Sequence, residues 1–225
     1  MNRNRFKKLK VLIVYDYLPP VEGGIETHVD RLIKHLDRYV DVYYLGLKPR
    51  EDNFMAFKQN KIVLVSHIPI LHVIIRLALG LWLILKKQIR IIHAHTLSTP
   101  GLISVALGLI TKRPVVITVH ESSFINNVRR NRILPILLYR LFFHFSKYII
   151  AVSQELKLYI LHLCRNESKV LRIPNGVELD FFRQRPGNMK STSRKFKKIL
   201  EEKAKGVFIV LCPRRIVEKN GIVYL

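Results

Sequence analysis

The chain carries only two cysteines, Cys164 and Cys212, far apart and without metal-ligand spacing around them. That excludes a disulfide framework or a cysteine-built metal centre and points to a reducing compartment. Acids are scarce too: 16 Asp plus Glu stand against 39 Lys plus Arg, a formal net charge of +23. No Asp-x-Asp pair occurs, so the short carboxylate motif that would hold a divalent ion beside a phosphate is missing, and no metal or other cofactor is expected. No long apolar run is free of charge. The stretch Ile68 to Leu85 contains Pro69, His72, Arg76 and Gly80. A mid-span charge is costly in a bilayer, so this stretch predicts a helix packed on a sheet or lying at a membrane interface. The basic start runs into the short segment Val11 to Tyr15 with no small-residue cleavage site after it. This predicts a cytoplasmic chain without a secretory leader.

What is present is a core. Hydrophobic residues make up 49% of the 225, which rules out general disorder and allows one sizeable domain, or one domain plus a piece of another. The positive charge is clustered at Arg3, Arg5, Lys7, Lys8 and Lys10, at Arg129, Arg130 and Arg132, and at Arg194, Lys195, Lys197 and Lys198. Three anionic partners fit such clusters: nucleic acid, a membrane surface, or phosphorylated small molecules. No zinc-finger, RNP or helix-turn-helix signature accompanies the charge, which disfavours nucleic acid.

Short Val- and Ile-rich runs alternate with helical patterns. Strands are expected at Val11 to Tyr15, Val40 to Leu45, Lys61 to Val65, Arg90 to Ala94, Val115 to Val119, Tyr148 to Val152 and Val170 to Ile173. Helices are expected at Ile25 to Leu36, Leu71 to Lys86, Gly101 to Thr111, Ile133 to Phe145 and Gln154 to Leu163, the last capped by Ser153. Continuous apolar strands alternating with helices define an α/β doubly wound parallel sheet. This domain is expected over residues 1–182, followed by a basic linker and polar helix at 183–205. A further strand and turn at 206–225 read as the opening of a second domain.

Doubly wound sheets bind ligands at the carboxyl ends of their strands. The first strand leads into Gly23 and Gly24, whose missing Cβ atoms allow φ > 0 and a close ligand approach, just before a helix whose free N–H groups attract anions. Glu26 sits in that helix's first turn, where it complements the dipole. His93 and His95 end the fourth expected strand; at i and i+2 they face one way, as metal ligands or as packed side chains. His120 ends the fifth, Ser153 follows the sixth, and Asn175 with Gly176 form a turn after the seventh.

Four segments together resemble the retaining glycosyltransferases of family GT4, which have the two-domain GT-B fold. They are Pro19 and Pro20 with Gly23 to Glu26; Ile91 to His95; Pro114 to His120; and Ala151 to Ser153 followed by Ile173 to Val177, ending at Phe182. The resemblance implies a Rossmann-like acceptor-side domain. Gly23 and Gly24 would approach the donor phosphates and the acceptor, and His120 would contact the transferred sugar. Arg214 or Arg215 with Lys219 would grip the donor diphosphate, although this chain reads Arg-Arg-Ile-Val-Glu-Lys-Asn-Gly where many relatives read Gly-Arg-Leu and then Lys-Gly. Glu26, His95, Ser153, Asn175 and Gly176 complete the expected substrate-binding set.

The implied partners are a nucleotide sugar and a lipid-linked or glycan acceptor that receives a hexose-type sugar. The basic clusters at Lys7 to Lys10 and Arg129 to Arg132, with the apolar helix near Leu71 to Leu85, suggest a peripheral seat on an anionic membrane. The family's second Rossmann-like domain stops here after its first strand and turn. The chain is therefore expected to be inactive alone, as a fragment or as half of a split enzyme completed by a second polypeptide. A non-catalytic acceptor-binding or anchoring subunit is the alternative.

Overall fold

The computed structural model describes residues 8–18, 23–47, 62–65, 70–120 and 122–177, with residues 179, 201 and 206. The chain divides into two compact units, Met1–Gly176 and Val177–Leu225. The first holds every element considered below.

Its order is β1 (Lys10–Val14), α1 (Gly24–Leu36), β2 (Asp41–Leu47), β3 (Ile62–Val65), α2 (Leu71–Lys87), β4 (Ile91–Ala94), α3 (Thr99–Thr111), β5 (Val115–Val119), α4 (Ser122–Arg129), α5 (Ile133–Phe145), β6 (Tyr148–Ala151), α6 (Gln154–Cys164) and β7 (Val170–Arg172). All seven strands pair in parallel, in the order β3-β2-β1-β4-β5-β6-β7. The expected fold class stands, and each strand and helix expected up to residue 173 is found with ends shifted by two residues or fewer; the polar helix expected within 183–205 and the strand expected at 206–225 lie, but for residues 201 and 206, outside the described residues. The addition is α4, eight residues long with the polar sequence Ser-Ser-Phe-Ile-Asn-Asn-Val-Arg. Among its described side chains only Phe124 and Ile125 are buried, which leaves too short an apolar period to announce a helix.

Strand parity splits the core. Leu12 and Val14, Ile92 and Ala94, Val115, Ile117 and Val119, and Ile149 and Ala151 face one layer, where they meet α2, α3, α4, α5 and α6. Val11, Ile13, Val42 and Tyr44 face the other, where Val29 of α1 packs. The helices thus change sides between β1 and β4, and the strand order reverses there. A crevice opens at the carboxyl edge of the sheet at such a point.

Close approach fixes the helices on their strands. Gly101, in the first turn of α3, lies so near the end of β4 that an added Cβ would stand 2.8 Å from the carbonyl oxygen of Thr96. A backbone atom cannot swing away as a side chain can, so Gly101→Ala is expected to lower stability by about 1–3 kcal/mol. Gly176→Ala, with nothing within 4 Å of the new atom, is the control and should leave the urea midpoint unchanged.

Candidate functional site

The crevice floor is built from histidines. His93 and His95 leave β4 on the same side of the sheet, with ring centroids 4.2 Å apart. β5 delivers Thr118 and His120 on that side, and α1 delivers His28 from above. His93 Nε2 hydrogen-bonds Thr118 Oγ1 at 2.8 Å. His95 Nδ1 meets His120 Nε2 at 3.4 Å. The His28 ring lies 4.8 Å from that of His120 and 5.7 Å from that of His95, centroid to centroid.

Such packing keeps the rings uncharged. Burial, reinforced by the neighbouring His28, lowers the pKa of His93 to about 4. Burial, with His28 and His93 behind it, lowers that of His120 to about 3. His95 is pushed well below its ordinary value by burial and by the three other rings, and burial lowers His28 as well. At neutral pH the cluster is a set of neutral imidazoles, each offering one donor and one acceptor. His95 Nε2 is buried and has no hydrogen-bond partner among the described residues.

His28, His95 and His120 are also the set that could hold a metal, their candidate ligand atoms all lying within 4.8 Å of one another. Three imidazoles suit zinc, but its tetrahedral bonds of about 2.0–2.1 Å require nitrogens about 3.3 Å apart. The His95–His120 contact has that length. The wider spacing within the set does not, so closing on an ion would require the rings to draw together. His93 is engaged with Thr118 and stands outside the set.

The rim above the histidines is the amino end of α1. Gly23 caps it with φ 176°, extended backbone that any residue adopts, and among the described residues no side-chain hydrogen bond caps the helix. The expected reason for glycine here, a positive φ, is therefore corrected. The reason is space: a Cβ on Gly23 would collide with the Glu26 carboxylate, whereas Gly24 has nothing within 4 Å. Glu26 is held in place because Tyr15 donates its hydroxyl to Glu26 Oε1 at 2.9 Å. That bond and burial both raise the Tyr15 pKa, so the phenol stays protonated. Tyr44 in turn donates to the Tyr15 carbonyl at 3.3 Å.

Ser153 caps α6, its hydroxyl accepting from the Leu156 amide at 3.2 Å, as its place before the helix predicted. Asn175 and Gly176 are exposed in the segment after β7. Arg214, Arg215 and Lys219 lie outside the described residues. Sequence reasoning missed His28, one position before the buried Val29 on α1. It also missed Thr118, whose hydroxyl occupies the β5 position facing His93. The missed signal at His28 was a histidine at the margin of the apolar helical stripe that faces the carboxyl edge.

This fold and crevice define a doubly wound α/β domain, and the residues identify its family. Residues 22–181 match the model of Glycosyltransferase Family 4, so the chain belongs to that family. An uncharacterised glycosyltransferase of Methanocaldococcus jannaschii, MJ1069, is 24% identical, the match covering 85% of this chain and 53% of that protein. Among solved structures, Anabaena Alr3699/HepE in complex with UDP-glucose superposes with a TM-score of 0.62 at 14% identity, over 86% of this chain and 50% of that one. A Rickettsia africae glycosyltransferase gives 0.61 at 18% identity, over 94% and 54%. The chain therefore spans about half the length of these relatives.

The cluster makes stability depend on pH. A histidine whose folded pKa lies below its unfolded value near 6.5 takes up its proton on unfolding, so its stabilisation is complete above that value and is lost as pH falls toward the folded value. Unfolding free energies from urea titrations should fall from about pH 6.5 downward, by at most about 1.4 kcal/mol per pH unit for each such histidine. His93→Gln, which keeps a partner for Thr118, should flatten the profile.

Proposed function

We propose that the crevice at the carboxyl edge is the acceptor side of a retaining, nucleotide-sugar-dependent glycosyl-transfer site. It would direct a hexose-type sugar onto a hydroxyl of a lipid-linked or glycan acceptor. The observation that carries this reading is the convergence of His28, His95 and His120 beneath the uncapped amino end of α1, at the point where strand order reverses. Family membership supplies the chemistry, and a relative of the same fold that binds UDP-glucose supports a nucleotide-sugar donor.

The transfer breaks the bond between the anomeric carbon and the donor diphosphate and forms one from that carbon to the acceptor oxygen, on the same face of the sugar. The acceptor's proton leaves with the diphosphate. Negative charge builds on the diphosphate, and fixed donors placed beforehand stabilise it best. Neutral imidazoles hold the sugar by hydrogen bonds and contribute no positive charge, so His120 acts as a positioning donor to sugar hydroxyls. The N–H groups at the start of α1 supply part of the positive potential. The resemblance assigns Arg214 or Arg215 with Lys219 to the donor diphosphate. Metal is not required in this scheme.

The test is transfer of labelled sugar from a panel of nucleotide sugars to lipid and glycan acceptors, by the chain alone and by the chain supplied with a donor-binding domain. Turnover is expected to be unaffected by chelator, and His120→Ala should reduce it roughly a hundredfold without altering the circular dichroism. Absence of transfer from every donor in both forms overturns the reading. Loss of activity on chelation, restored by zinc, would instead assign the three histidines to a metal.

A further inference from the structure

The helical layer that covers one face of the sheet has an outer surface unlike that of an ordinary soluble domain. On α5, Ile133, Leu134, Leu137, Leu138, Leu141 and Phe145 are all exposed, the first two at 72% and 71%. At 100° per residue they form one continuous stripe, and Tyr139, Phe142 and Phe143 on the opposite side fill the core. On α2, Ile74, Trp82 and Leu85 point outward while Arg76, Gly80, Leu83 and Ile84 are buried. α3 packs against both α2 and α5 and adds exposed Leu109 and Ile110. Monomeric domains seldom expose apolar surface on three neighbouring helices.

The charge of this layer is one-sided. Between Asp52 and Glu155 the sequence has thirteen Lys and Arg and a single acid, Glu121. Arg129, Arg130 and Arg132 precede the α5 stripe, Arg140 borders it and Lys147 follows it. On α2, the Lys86 ammonium lies over the Trp82 ring, 4.6 Å from its centroid. An aromatic ring with a long basic chain beside it suits the level of lipid headgroups.

We propose that the outward faces of α2, α3 and α5 form one docking surface for an anionic lipid bilayer, with the helices lying in the plane of the interface. A second copy of the chain is a poor occupant, because two faces with basic residues and almost no acid repel one another. Nucleic acid would match the arginines but leave the leucine stripe in water. No helix among the described residues is long and apolar enough to cross a membrane, so the contact is with the surface of the bilayer. The sequence pattern placed the membrane contact on the basic clusters and α2; the structure adds α5 as its largest apolar part. The proposal goes beyond the glycosyl-transfer reading and does not require it.

Trp82 is the only tryptophan in the chain and lies on this face, so its fluorescence reports contact directly. With vesicles of phosphatidylcholine containing phosphatidylglycerol, the full chain should co-sediment, and Trp82 emission should shift to the blue and be quenched by brominated acyl chains. Vesicles of phosphatidylcholine alone should bind it weakly. The exposed Leu134→Glu and Leu138→Glu changes together should weaken partitioning by roughly ten-fold or more while leaving the urea midpoint unchanged. Three results would overturn the proposal: binding to the mixed vesicles that the double variant does not alter, a Trp82 shift that depends on protein concentration without vesicles, or no binding at low salt.

Discussion

The fold is pinned at its working edge by one buried cation. Arg76 is fully inaccessible, donates from Nη1 to Asp16 at 2.8 Å and from Nη2 to the Tyr15 carbonyl at 3.1 Å. It joins α2, the helix that crosses between the two halves of the sheet, to the residues that follow β1. A buried guanidinium tolerates only a geometry that pairs it, so it specifies where the crossover helix starts relative to the strand. From that point the chain runs toward Gly23 and α1. The same Tyr15 whose carbonyl Arg76 holds donates its hydroxyl to Glu26. The backbone of β1's end, the first turn of α1 and the start of α2 are therefore one hydrogen-bonded unit, and His28 stands one turn further along α1. A histidine carried by a helix can face histidines carried by strands only if that helix is held in register.

The strands were legible because parallel strands covered on both faces read as unbroken apolar runs, and Val115 to Val119 needed no context to be recognised. Helices were legible where their apolar period was long, as in Ile133 to Phe145. Arg76 shows where such reading stops. In sequence it is a charge interrupting an apolar stretch and argues only against a membrane span. Its role depends on Asp16, sixty residues away, and no local pattern announces that pairing. His28 and Thr118 were illegible for the same reason, since each gains meaning from a partner on another element. The glycine pair was found for a partly mistaken reason. Its position before a helix was visible, but φ is a property of the fold, and at Gly23 it is extended.

Among the described residues no carboxylate contributes to the shifts of the four histidines. A histidine beside a carboxylate is drawn toward the charged form; here burial and the other imidazoles act on each ring, and every shift is downward. The chain as a whole is strongly cationic, yet its histidine cluster is neutral. That division suits a cleft in which a sugar is held by hydrogen bonds while a phosphate is held elsewhere, because a cationic histidine at the sugar would compete for the diphosphate.

The two faces of the sheet then have different tasks, and helix direction links them. α2 and α5 both start near the carboxyl edge and run back toward the opposite edge, since each must deliver the chain to the start of the next strand. Thirteen residues of α5 span about 20 Å, comparable with the five residues of β5 plus its turns. The most exposed apolar side chains of the layer, Ile70 at 78% just before α2 and Ile133 and Leu134 at the start of α5, consequently lie toward the edge where the histidines gather. Leu85, Leu109 and Ile110 carry apolar surface to the opposite edge, and the exposed side chains of the layer also reach the edge of the crevice. A helical layer that served only to cover the sheet would have no physical reason to place uncompensated leucines there.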